Sequence, residues 1–285
     1  MALVALGIAG CHGGVTLQQW ATWPMPNSTA GLPNPQSFDV SDDVAADRVT
    51  GLMWQRKLVD NPKSFPDAGQ ACENLTLAGY GDWRLPSRIE LVSILNLARV
   101  QPAVDPNVFP ETPSDWFWTS SHAAGDPQAA WYVYFYFGYP NTDLGSNPFS
   151  WRCVRTALPH RVPSPRYDLQ QDTVRDVATG LVWQRSVPDG LFTFDGAGTY
   201  CAQVRLGNLT GWRLPSMTEL LTLVDETAPT PPAIDTNAFP ETPTEGFWSG
   251  SEFGGEHGLA WQVYFDRGNG LYGLTSASFR VRCVL

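Results

Sequence analysis

The chain has 285 residues, enough for two ordinary domains that each bury a core. With 43% hydrophobic and 16% charged residues, and no apolar run near about 18 residues after the start, it is neither disordered nor membrane-spanning. A formal charge of -10 leaves no basic patch for phosphate backbones, which excludes nucleic acid as a partner and disfavours polyanionic sugars.

From the N-terminus, Met1 to Gly10 is small and apolar. Ile8-Ala9-Gly10-Cys11 resembles the lipobox of bacterial lipoprotein signals, which would leave a lipid-modified Cys11 as the only membrane attachment. No Lys or Arg precedes this short stretch, so a plain small-residue tail is the alternative. Residues 1–11 are therefore assigned to signal and lipobox, and 12–36 to a tether and the start of a first domain. An apolar strand next runs through a turn at Thr50-Gly51 and out along Leu52-Met53-Trp54-Gln55, with Asp47 placed to brace the turn. A short helix is predicted around Cys72. After Trp83-Arg84-Leu85-Pro86, the spacing Ser87-x-x-Glu90 is a capping box that starts another helix and accounts for Glu90 structurally. Arg84 either clamps a carboxylate ligand or fastens this loop to its own backbone or an internal carboxylate. Strand-like runs follow at 116–120, 131–137 and 150–154.

The same series then repeats. At an offset of 129, Thr179-Gly180-Leu181-Val182-Trp183-Gln184 answers the first hairpin, Cys201 answers Cys72, Trp212-Arg213-Leu214-Pro215 answers the loop, and Glu219 answers Glu90. After a one-residue insertion, Phe239-Pro240-Glu241 matches Phe109-Pro110-Glu111, Phe247-Trp248 matches Phe117-Trp118, and Arg282-Cys283-Val284 matches Arg152-Cys153-Val154. A period this long means duplicated domains, because solenoid repeats run to only about 20 to 50 residues. The domains are assigned to 37–158 and 167–285, joined by a Pro-rich linker at 159–166. Helices before short antiparallel strands give an α+β class.

Of five cysteines, one lies in the lipobox and four form matched pairs, Cys72 with Cys153 and Cys201 with Cys283. Pairing within each repeat is what a duplication would copy, and it implies an oxidising compartment. Free thiols or a shared metal site are the alternatives, but no cysteine has another at metal-ligand spacing.

The Thr-Gly-Leu-x-Trp-Gln opening, the Trp-Arg-Leu-Pro step, the Phe-Trp-x-x-Ser strand and the closing Arg-Cys-Val together resemble the bacterial DUF1566 domain. That domain also forms the C-terminal part of a collagen-like bacterial adhesin. The resemblance covers both repeats and implies two tandem C-type-lectin-like domains on an exported protein, with adhesion or carbohydrate binding as the function. The adhesin's association with sulfated polysaccharides is not carried over, because this chain is acidic.

Catalysis finds little support. None of His12, His122, His160 and His257 has a counterpart in the other repeat, and paired cysteines supply no thiolate. A formylglycine-generating-type oxidase, with a related fold, is the enzyme alternative, but it needs reactive thiols. No cofactor is expected. Calcium is the one possible exception, since Asp105 and Asn107, matched by Asp235 and Asn237, put hard oxygen donors in equivalent loops. Asp and Asn beside such turns also bond their own backbone.

The repeats differ most in aromatic content. Alternation along 131–137 puts Trp131, Val133, Phe135 and Phe137 on one face and Tyr132, Tyr134 and Tyr136 on the other. Trp116 stands where the second copy has Gly246, and Tyr139 where it has Asn269. Trp116, Tyr132, Tyr134, Tyr136 and Tyr139 are therefore the expected platform for a glycan or surface-protein ligand. The alternatives are a face covered by loop 139–147 or packed on the second domain, which would suit a structural envelope lipoprotein with no small ligand.

Overall fold

The structure is a computed structural model that describes residues 20–58, 61–156 and 164–285. Cys11, His12, His160 and most of the 159–166 linker lie outside the described residues. The described chain is mixed α+β, with few helices and several small antiparallel sheets in two matching halves.

In the first repeat β1 (Phe38–Val40), β2 (Val44–Asp47) and β3 (Leu52–Gln55) form a meander that β7 (Val154–Thr156) completes in the order β1-β2-β3-β7. Asp47 Oδ1 accepts from the amides of Val49 and Thr50, so it braces the turn between β2 and β3. Helix α1 (Phe65–Glu73) carries Cys72 to Cys153, and helix α2 (Arg88–Ser93) follows the Trp-Arg-Leu-Pro step. A second sheet consists of β4 (Trp116–His122), β5 (Ala129–Tyr134) and β6 (Tyr139–Leu144). The second repeat reproduces this plan with β8 (Tyr167–Leu169), β9 (Thr173–Asp176), β10 (Val182–Gln184), α3 (Phe194–Gln203), α4 (Met217–Leu221), β11 (Gly246–Glu252), β12 (Leu259–Tyr264) and β13 (Gly270–Leu274). Cys201 and Cys283 are bonded as their counterparts are.

Three details depart from the strand pattern, the first being that of the run expected at 150–154 only Val154 lies in a strand, β7. β5 ends at Tyr134 and the chain turns over 135–138, so Tyr136 and Phe137 leave the alternation. The stretch expected as a covering loop instead begins with strand β6, paired to β5 from Tyr134↔Tyr139 onward.

Both capping boxes are present. Ser216 Oγ accepts from the amide of Glu219, and the Glu219 carboxylate accepts from the amide of Ser216 at 2.8 Å, as Ser87 and Glu90 do. Each Glu is also gripped bidentately by the preceding Arg, at 2.6 and 2.7 Å for Arg84 and 2.7 and 2.8 Å for Arg213, so these arginines fasten their own loops. Ser216→Ala will cost about 1 kcal/mol, read as a lower thermal midpoint with unchanged circular dichroism.

Buried Arg152 and Arg282 tie the last strand to β3 and β10. Arg152 donates to the carbonyls of Gln55 and Arg56 and to Thr112 Oγ1, over the Phe109 ring; Arg282 does the same with Gln184, Arg185, Thr242 and Phe239. Burial pushes both guanidinium groups down to about 9, still charged at neutral pH.

The halves are not independent bodies. A small core surrounds each disulfide, but the largest core runs through both repeats, with Leu91, Leu95 and Phe109 from one and Leu220, Val224 and Phe239 from the other. Equivalent elements meet there, α2 against α4 and β6 against β13. Within it Arg88 Nε donates to Glu226 at 2.8 Å, and Ser121 Oγ donates to the same carboxylate at 2.7 Å. Burial pushes the Glu226 carboxyl above its ordinary range, with Arg88 and Ser121 opposing.

The segment assigned to a tether is built into this junction from Ala21 on: Ala21, Trp23 and Met25 are buried in the shared core. Asn27 Nδ2 donates to Glu219 of the second repeat, while Gln36 Nε2 donates to the carbonyls of Ser93 and Leu95 in the first. Tightly spaced small and aromatic residues there can lie in a crowded seam, which a free tether has no need of.

Candidate functional site

Antiparallel pairing of β4 with β5 sets Trp116 opposite Tyr134, and the turn after β5 brings Tyr136 alongside. The three rings stack in a row. Trp116 and Tyr134 have centroids 5.0 Å apart at 15°, and Tyr134 and Tyr136 5.7 Å apart at 21°. Phe149 extends the row behind Trp116 at 5.5 Å. Trp116 is 40% exposed, a large share for a residue that buries well. Because neighbours cover part of one another's faces, the row offers ring edges, phenolic hydroxyls and the open part of the indole.

Polar groups flank it. The Asp115 carboxylate accepts from the Trp116 amide at 2.8 Å and from Ser150 Oγ at 3.2 Å. Gln101 Nε2 donates to the Tyr136 hydroxyl. Desolvation, with Tyr136 and Asp115 nearby, pushes the Tyr134 hydroxyl above its ordinary range, so it stays a neutral donor and acceptor. Asp115 is legible in hindsight beside Trp116, whereas Gln101 reaches Tyr136 across 35 residues and has no local signal.

Two of the five expected platform residues lie elsewhere. Tyr132 is only 8% exposed, edge-on to Phe149 at 5.5 Å, in the small core that holds Trp118, Cys72 and Cys153. The cover is Phe149, within a cluster that also holds Trp151, so this end of the face is a second core and not an outer surface. Desolvation pushes the Tyr132 hydroxyl up strongly. Tyr139 is half-buried at the junction, 5.7 Å from Tyr134 and 6.2 Å from Trp261 of the second repeat. Trp116, Tyr134 and Tyr136 remain as one surface.

The second repeat has no such row. Gly246 replaces Trp116, and Tyr264 folds over it so closely that a Cβ there would lie 2.8 Å from the Tyr264 ring. Asp266 and Asn269 replace Tyr136 and Tyr139, and Gln262 in place of Tyr132 is buried.

At the calcium candidates each Asp spends one carboxylate oxygen on its own turn. Asp105 Oδ1 accepts from the Asn107 amide at 2.9 Å, and Asp235 Oδ1 from the Asn237 amide at 2.9 Å. The Arg56 guanidinium donates to the Asn107 and Val108 carbonyls, and Arg185 to those of Asn237 and Ala238. Among the described residues no group of three or more His, Cys, Asp or Glu side chains could hold a metal ion, and no helix is long and apolar enough to cross a membrane.

Two α+β repeats, each closed by one disulfide and sharing a core, with a partly exposed aromatic row on the first alone, define a duplicated disulfide-closed module. The Lcl C-terminal domain family matches residues 43–155 and 172–285, so the chain belongs to that family and carries its domain twice. Domains of this type come from exported bacterial proteins. No curated protein matches the chain.

Proposed function

We propose that this protein is an exported bacterial surface-binding protein that recognises an uncharged glycan through Trp116, Tyr134 and Tyr136 of its first repeat. The observation that carries this is the stacked, partly exposed row itself, kept in one repeat and replaced by the Gly246 and Tyr264 closure in the other. The indole supplies apolar contact, and the phenol hydroxyls, the Gln101 amide and the Asp115 carboxylate supply hydrogen bonds to sugar hydroxyls. A charge of -10 favours neutral sugars over polyanions. Lipidation at Cys11 would hold the protein at the envelope, and the C-type-lectin-like fold implied by family resemblance suits the role. Binding without catalysis fits four cysteines bonded in pairs, which supply no thiolate.

A glycan array with the soluble chain and with Trp116→Ala, Tyr134→Ala tests this. The double variant will lose about 30-fold or more in affinity for the retained glycans, as hot-spot truncations do. Its circular dichroism will be unchanged and chelator will not affect the wild type. A blank array, or binding that survives the double substitution, overturns the reading and points to a protein ligand.

A further inference from the structure

Because equivalent elements of the two repeats meet, each feature of the junction occurs twice, and the two versions differ. On one side four rings interlock: Phe137 from the first repeat with Phe253, Trp261 and Tyr272 from the second. Phe253 stacks on Tyr272 at 4.3 Å and meets Trp261 at 5.4 Å, and Phe137 reaches Phe253 at 5.6 Å and Tyr272 at 5.7 Å. Leu97 and Met217, which belong to the same shared core, are buried. The loop bearing Phe253 closes hard on the first repeat, for a Cβ on Gly254 would lie 2.6 Å from the carbonyl carbon of Ala98.

On the other side three of those rings are missing. Arg267 stands for Phe137, Ala123 for Phe253 and Thr142 for Tyr272, while Trp131 answers Trp261. Ala124 replaces Gly254 and carries the Cβ that the close approach forbids. Glu226 replaces Leu97, and Arg88 replaces Met217. The result is a cavity of about 370 Å³ lined by Ala123, Trp131, Thr142, Glu226, Asp266 and Arg267, among others. The indole N–H groups of Trp131 and of its counterpart Trp261 are both buried without a partner among the described residues, but only on the open side does a guanidinium, that of Arg88, lie 5.3 Å from the centroid of the tryptophan ring, with its Nη1 also unpartnered. Exchanging apolar packing for an incompletely bonded buried ion pair and an empty space does not stabilise a fold.

We propose that this cavity binds a ligand that joins an aromatic ring to an ammonium group. The closed side shows what the space accepts, since there rings seat against the equivalent tryptophan. The cationic requirement comes from Asp126, Asp225 and Asp266, which also line the cavity and outnumber Arg267. Each spends Oδ1 on its own turn, bonding Gln128, Thr227 and Arg267 amides, and Oδ2 takes no hydrogen bond among the described residues. A free arylalkylamine and an aromatic residue beside lysine in a polypeptide present the same chemistry. The site is separate from the aromatic row and does not depend on its glycan.

The test is titration of the full chain with tyramine, 4-ethylphenol and 4-hydroxyphenylacetate, followed by the indole N–H resonance of Trp131. Tyramine will bind about tenfold or more tightly than 4-ethylphenol, and the acid most weakly. Ala123→Phe, which installs the ring found at 253, will abolish the response. Asp266→Asn, a surface change that leaves the fold intact, will bring tyramine down towards 4-ethylphenol and leave the latter unmoved. No tyramine response by about 10 mM, equal binding of the phenol, or binding that survives Ala123→Phe in a folded variant overturns the proposal. An acetyl-Phe-Lys-amide arm separates the sources: tighter than tyramine marks a polypeptide, weaker a free amine.

Discussion

Glu226→Ala will lower the unfolding free energy by about 3–5 kcal/mol, because it leaves the fully buried guanidinium of Arg88 without its carboxylate. Arg88 is fully buried and its strongest bond goes to Glu226, with only distant carbonyls at Leu221 and Val224 besides. The Ser121 hydroxyl loses its acceptor in the same stroke. The paired change Arg88→Met, Glu226→Leu copies the residues found at the equivalent places, Met217 and Leu97, and should be neutral or stabilising by about 1–4 kcal/mol. Urea unfolding of the three proteins decides it. A loss below about 1 kcal/mol for Glu226→Ala would mean that water reaches the pair.

Removing one disulfide will have a comparable effect. Cys72 and Cys153 are 81 residues apart, and a closed loop of that size constrains the unfolded chain by about 4.5 kcal/mol on the chain-entropy account. Cys201 and Cys283, 82 residues apart, should give the same loss within error. Since one core runs through both repeats, Cys72→Ala, Cys153→Ala should shift the midpoint of the entire transition. Guanidinium denaturation followed by tryptophan fluorescence and by circular dichroism checks this. A transition that splits, with only the first repeat melting early, would show that the shared core does not couple the halves.

What was legible in the sequence was what the duplication copied or what acts over a few residues. The repeat, the cysteine pairs and the Ser-x-x-Glu boxes belong to these classes, as do Asp47 at its turn and Arg84 on Glu90. Strand alternation placed Tyr134 correctly on the face opposite Val133 but said nothing about what covers that face. Tyr132 is covered by Phe149, which arrives 17 residues later from beyond β6. The Tyr136 and Phe137 positions depended on where β5 ends, and Phe137 is claimed by Phe253 more than a hundred residues on. The junction was invisible for the same reason. Arg88 and Glu226 are 138 apart, and each reads locally as an ordinary surface charge.

A contact made by the same elements from each half, α2 on α4 and β6 on β13, has the form of an isologous dimer. In two separate copies of one chain, symmetry would force both faces of that dimer to be identical, so any pocket opened on one would open on the other. Fusion into a single polypeptide lifts that constraint. One face could then tighten around four rings and hold the pair together while the other lost three of them and gained charge. The covalent link thus lets stability and recognition, which compete for the same residues in a homodimer, be assigned to opposite sides of one seam.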